Sequence, residues 1–67
     1  MNFYCVDTDV REGGFHEVHQ VRCTYIPEDK IDLGPYPSCY EAVRAARKFY
    51  KLIRGCRYCC MECYTYS

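Results

Sequence analysis

Sixty-seven residues carrying nine basic and nine acidic side chains make one small domain, near the lower size limit for folding on a hydrophobic core alone. Zero net charge argues against a chain built to coat nucleic acid, and no run approaches the ~20 apolar residues of a membrane-spanning helix. Seven cysteines dominate the composition, and a chain this short needs a staple of the kind they supply.

The N-terminus, from Met1 to Asp7, has neither a basic start nor an apolar run. It does not read as a signal peptide. The expectation is a cytoplasmic, reducing setting, where structural disulfides are rare; an odd cysteine count also leaves one thiol over in any disulfide framework. Zinc or reduced thiols are therefore expected ahead of disulfides. Charge is unevenly spread. Residues 1–37 hold seven acids and three bases, whereas residues 38–67 hold six bases and two acids, so the two halves attract each other.

In chain order, Phe3-Tyr4-Cys5-Val6 is aromatic and branched and reads as a short strand ended by Asp7-Thr8-Asp9. Gly13-Gly14 marks a turn, and Phe15 to Val21 reads as a second strand antiparallel to the first. By strand alternation Phe15, Glu17, His19 and Val21 share one face, and His16, Val18, Gln20 and Arg22 the other. From Cys23 to Pro37 the prolines at 27, 35 and 37 block long regular elements. Ile31-Asp32-Leu33 is a candidate third strand, turned off by Gly34-Pro35.

Ser38 followed by Glu41 predicts a capping box. Ala42, Val43, Ala46, Phe49, Tyr50 and Ile53 then recur at three- and four-residue steps, giving one apolar stripe. Gly55 stands where a left-handed C-cap belongs, so a helix over about 38–54 is expected. Cys56-Arg-Tyr-Cys59-Cys60-Met-Glu-Cys63 follows it as a cysteine knuckle of two Cys-x-x-Cys steps, a spacing that suits a shared zinc ion. Tyr58, Tyr64 and Tyr66 suggest a last extended segment. The expected fold is a single α+β domain over 1–67: a two- to three-stranded antiparallel sheet, one long amphipathic helix, and the C-terminal knuckle.

A helix over 38–54 is about 25 Å long, which would keep Cys39 out of any site at the knuckle. Cys39 and Cys5 then read as small buried hydrophobes. The knuckle needs partners from elsewhere, and His19 with Cys23 is the nearest pairing of donors. The preferred ligand set is His19, Cys23, Cys56 and Cys59, with Cys63 as an alternate member. This set carries a condition. Residues four apart on an extended strand lie about 13 Å apart, so the strand must end or bulge between Gln20 and Arg22.

His19-Gln-Val-Arg-Cys23-Thr-Tyr25-Ile26, then Ser38-Cys-Tyr-Glu41-Ala42, then Gly55-Cys56-Arg-Tyr-Cys59 resembles a small Cys/His module found after nuclease domains in some bacterial proteins. There the pattern is His-x-x-x-Cys, a Ser-x-x-Glu-Ala helix start and a closing Cys-x-x-Cys. The chain also resembles a family of small uncharacterised prokaryotic proteins ending in Gly-Cys-x-Tyr-Cys-Cys-x-x-Cys. The likeness runs over residues 15–63 and implies His19, Cys23, Cys56 and Cys59 as ligands. It supplies no activity, and the chain differs from the pattern in its expected longer helix and in Cys60 and Cys63.

The functional expectation is a non-enzymatic binding module stabilised by structural zinc, with an unidentified protein partner or a weak nucleic-acid contact. One alternative is a nucleic-acid accessory module using Arg44, Arg47, Lys48 and Lys51 on a basic helix. Another is a metal-free thiol-redox or reduced-cysteine domain. Reactive Cys-x-x-Cys pairs sit at helix N-termini, where the dipole lowers the thiol pKa; this knuckle is expected after a helix C-terminus, which favours the neutral thiol.

Overall fold

A computed structural model describes residues 1–10 and 12–64 of the chain. Strand β1 (Asn2–Asp7) leads through a tight turn at Glu12–Gly14 into β2 (His16–Gln20). Gly13 and Gly14 take φ of 80° and 83°, a region open to glycine and closed to most side chains. After a loop, β3 (Lys30–Tyr36) precedes helix α1 (Cys39–Ala46), and β4 (Ile53–Gly55) precedes the single-turn α2 (Met61–Tyr64). The four strands form one sheet in the order β3-β1-β2-β4. β1 pairs antiparallel with β2 and β3, while β4 pairs parallel with β2.

The sheet corrects the expected architecture in two ways. It is four-stranded and mixed, and the fourth strand is cut from residues that the apolar stripe had assigned to a long helix. Because β3 and β4 both run in the direction of β2, the connection between them must return along the sheet. A helix continued to Arg54 would be about 25 Å long and would carry Ile53 past β2, whose five residues span only about 17 Å. Ending α1 at Ala46, after about 12 Å, lets the chain turn and lay Ile53 beside His16. The His16 amide donates to the Leu52 carbonyl at 2.9 Å, and the Cys56 amide to the Val18 carbonyl at 2.8 Å. Tyr50 stacks flat on the His16 ring, centroids 3.6 Å apart. Phe49, which the stripe had included, lies exposed in this turn, as does Leu52.

Three local expectations also change. Ser38 begins the helix, but its hydroxyl bonds the Glu41 carboxylate instead of a backbone amide. Gly34 and Pro35 do not end β3: the ladder shifts register opposite Tyr4 and Cys5 and then continues to Tyr36. Pro35 is tolerated there because β3 is an edge strand. The tail residues 61–64 form a helical turn, not an extended segment; Tyr66 lies outside the described residues.

One face of the sheet packs Tyr4, Val6, Val18 and Ile53 against Cys39, Ala42, Val43 and Ala46 of α1, with Cys60 and Cys63 filling the same core. Burying a valine such as Val18 fully is worth about 1.5–3 kcal/mol. Gly55 serves this packing and is no helix cap. A Cβ built on it would sit 2.6 Å from both the Cys60 carbonyl oxygen and the Cys63 Cβ, so only glycine lets α2 lie this close to β4. Strand alternation turns Cys5, Glu17, His19 and Arg54 to the opposite face.

Candidate metal centre

His19 lies near the end of β2 and is 2 % exposed. The condition set by the four-residue spacing is met: β2 stops at Gln20, Val21 and Arg22 form a turn, and the Cys23 amide donates back to the Gln20 carbonyl at 2.9 Å. Cys23 is thereby brought next to the strand it has just left. From the other side, the Cys56 amide extends the β2–β4 pairing and the turn over Arg57–Cys59 follows. One donor atom from each of His19, Cys23, Cys56 and Cys59 then lies within 4.8 Å of all the others.

The Cys23 and Cys56 sulfurs are 4.0 Å apart, and the Cys59 sulfur is 4.0 Å from His19 Nδ1. Donors on a tetrahedral zinc with bonds of 2.0–2.3 Å stand about 3.4–3.8 Å apart. The cluster is thus close to the size of a four-coordinate site, and contraction by about 1–1.4 Å at its widest would close it on an ion. Two amides already point at the sulfurs: Gln20 N–H at 3.3 Å from Cys59 and Tyr58 N–H at 3.4 Å from Cys56. Gln20 Nε2 also donates to the Cys59 carbonyl at 2.9 Å, fixing the turn.

Without a cation, burial pushes the Cys56 thiol up to about 12. Cys23 is raised by burial and then by the adjacent Cys59. Cys59 is raised chiefly by its hydrogen bond with the Cys60 thiol and then by burial. Crowded, desolvated thiols resist ionising together; a divalent ion is the natural compensation. The same upward shifts are the reverse of what a nucleophilic or redox-active pair requires.

On the far side of the imidazole, Nε2 lies 3.9 Å from Glu17 Oε1. Glu17 Oε2 in turn accepts from Arg54 Nε and lies near Nη2, both at 3.3 Å. Glu17 and Arg54 are register partners across the β2–β4 pair. At 3.9 Å the carboxylate is beyond hydrogen-bond length but close enough to favour a proton on Nε2, which would leave Nδ1 free as the donor to a metal. Sequence reasoning passed over Glu17 and Arg54, although the i, i+2 relation of Glu17 and His19 was a usable signal.

Other candidates lie elsewhere. Cys63, the alternate ligand, is fully buried in the helix-side core. Cys39 remains outside the cluster, but not for the expected reason: with α1 short, its sulfur comes within 3.9 Å of the Glu62 carboxylate on α2. His16 Nδ1 donates to the Asp7 carbonyl, 2.9 Å away, and the ring is held by Tyr50. Arg44, Arg47, Lys48 and Lys51 are all exposed, but only Arg44 lies within α1; the others occupy the turn after it. They form no continuous helical face.

Among the described residues, no helix is long and apolar enough to cross a membrane. The four clustered donors could hold a metal ion, and the chain is a small cysteine-rich α+β domain. Comparison with protein-family models, curated proteins and solved structures finds no match to this chain.

Proposed function

We propose that this chain is a non-enzymatic binding module whose fold is held by a structural zinc ion on His19, Cys23, Cys56 and Cys59. The observation that carries the reading is the convergence of these four donors, from two segments far apart in the chain, within 4.8 Å. Three thiolates and an imidazole are soft and borderline ligands, which suit zinc and do not suit magnesium or calcium. Four protein ligands leave no open position for water or substrate, which is the arrangement of structural sites. Size supports it as well: the remaining core is small, and apparent zinc affinities of about 10–16 kcal/mol would dominate the stability of such a domain. The order His-x-x-x-Cys followed by Cys-x-x-Cys also agrees with the bacterial Cys/His module that the sequence resembles, and we propose kinship with it.

Elemental analysis of protein purified without chelator is the direct test. One zinc per chain is expected, with reactive thiols rising by three on chelation and helical and sheet circular dichroism collapsing. Protein that is folded and metal-free under those conditions ends the reading.

A further inference from the structure

A cavity of about 470 Å³ opens directly against the ligand cluster, within the roughly 300–1,000 Å³ of small-molecule sites. Its walls include Tyr25 and Pro27 on one segment, Arg57 and Tyr58 on the other, and the Glu17 carboxylate, which Arg54 engages. The rings of Tyr25 and Tyr58 stack, centroids 4.2 Å apart and planes 29° from parallel. Both nonetheless remain more than half exposed, at 57 % and 60 %. The Arg57 guanidinium stands 5.7 Å over Tyr58 and 5.6 Å over Tyr64. Arg54 is engaged by Glu17, whereas Arg57 has ring contacts and no carboxylate partner among the described residues.

These features narrow the ligand. The exposed Tyr25 ring, backed by Tyr58 and beside the Arg57 guanidinium, offers stacking to a flat ring and a planar fork to an anion. A purely apolar guest would bury Arg57 without a partner. A cationic guest would meet two guanidiniums, Arg54 and Arg57, in the cavity wall. A carboxylate alone would leave the stacked pair unused. We propose that the cavity binds one nucleotide unit, its base stacked on the Tyr58–Tyr25 pair and its phosphate on Arg57. The unit is either a free mononucleotide or one residue of a single strand; the recognising chemistry is shared. The assignment rests on the zinc reading, because Tyr25 follows Cys23 by two residues and Tyr58 lies between Cys56 and Cys59, so the ion sets the gap between the walls. It also moves any nucleic-acid contact away from Arg44, Arg47, Lys48 and Lys51, none of which lines the cavity.

The test titrates full-length protein of measured zinc content with adenosine monophosphate and, separately, with a labelled short oligothymidylate at low salt. Saturable binding of the mononucleotide identifies a free nucleotide as the ligand; binding of the oligonucleotide alone identifies a strand. Either supports the site, provided the variants respond. Tyr58→Ala should weaken binding about ten-fold or more, and Tyr58→Phe should retain it. Arg57→Ala should lower the salt slope for the oligonucleotide by about 0.7. All three variants should keep wild-type zinc content and circular dichroism. Zinc-loaded protein that binds neither probe overturns the proposal and leaves the zinc reading intact. Binding that survives Tyr58→Ala and Arg57→Ala but fails in Arg47→Ala also overturns it. Folded, zinc-free protein that binds through Tyr58 and Arg57 would sink the zinc reading alone.

Discussion

The two faces of the sheet use the same residue type for different ends. On the helix side, Cys39, Cys60 and Cys63 pack with Ala42, Val43 and Val18 as small apolar filler. On the other side, Cys23, Cys56 and Cys59 gather around His19. Cys59 and Cys60 are neighbours in the chain with interacting thiols, yet only Cys59 joins the donor cluster, while Cys60 is fully buried in the core. What separates the two sets is company, not burial. The first has aliphatic neighbours, the Glu62 carboxylate beside Cys39 and, among the described residues, no nitrogen donor; the second has an imidazole, two amides aimed at sulfur, and a carboxylate behind the ring. A buried thiol is filler by default and becomes a donor only where the backbone delivers several to one point.

The most damaging way to test that contrast is Cys59→Ala. It should abolish stoichiometric zinc binding, and with it most of an apparent stabilisation of about 10–16 kcal/mol, read by elemental analysis and thermal unfolding. Acid is the next largest effect. Cys23, Cys56 and Cys59 are all raised in the metal-free fold, so they are protonated at neutral pH and zinc must displace about three protons. Affinity should therefore fall about a thousand-fold per pH unit on acidification, measured by competition with a chromophoric chelator; a flat profile would separate the thiols from the ion. In the metal-free protein the sign for stability is opposite. A thiol raised from 9.0 to about 12, as at Cys56, favours the fold below pH 9 and loses that contribution as pH rises towards 12.

Gly55→Ala attacks the packed side and should leave the ligands chemically intact. The new Cβ meets backbone and Cβ atoms at 2.6 Å, so a loss of about 1–3 kcal/mol is expected from overpacking, read by denaturant unfolding of the zinc-loaded protein. Glu17→Gln sharpens the other side. It keeps the shape but removes the charge behind His19, and should weaken zinc binding about ten- to a hundred-fold without altering stoichiometry. The smallest effect belongs to Cys60→Ala: about 1 kcal/mol for one buried sulfur, with zinc content unchanged. Equal loss of zinc from the adjacent substitutions at 59 and 60 would erase the distinction between the faces.

Much of the cluster was legible before the fold was known, because ligand chemistry is written in residue type and spacing. His19 and Cys23 stood out only once the knuckle demanded partners, and the requirement for a chain reversal at Val21–Arg22 followed from strand dimensions. The long helix was misread for a physical reason. Ala42, Val43 and Ala46 fit a helical stripe, and Ile53 continues it at a helical step, but Ile53 is buried by strand pairing to His16. Periodicity cannot distinguish two elements that bury alternate residues into one core. Gly55 was misassigned likewise: a helix cap and a close backbone approach both ask for glycine.

By itself, then, the sequence determined the donor inventory, the need for a staple in so short a chain, and where β1, β2, β3 and α1 begin, since these depend on local chemistry and chain dimensions. Tertiary structure decided where α1 stops, which sulfurs meet, and that Glu17 and Arg54 stand behind His19. Those outcomes depend on a parallel pairing between segments far apart in the chain, and no local preference encodes the distance such a pairing must close.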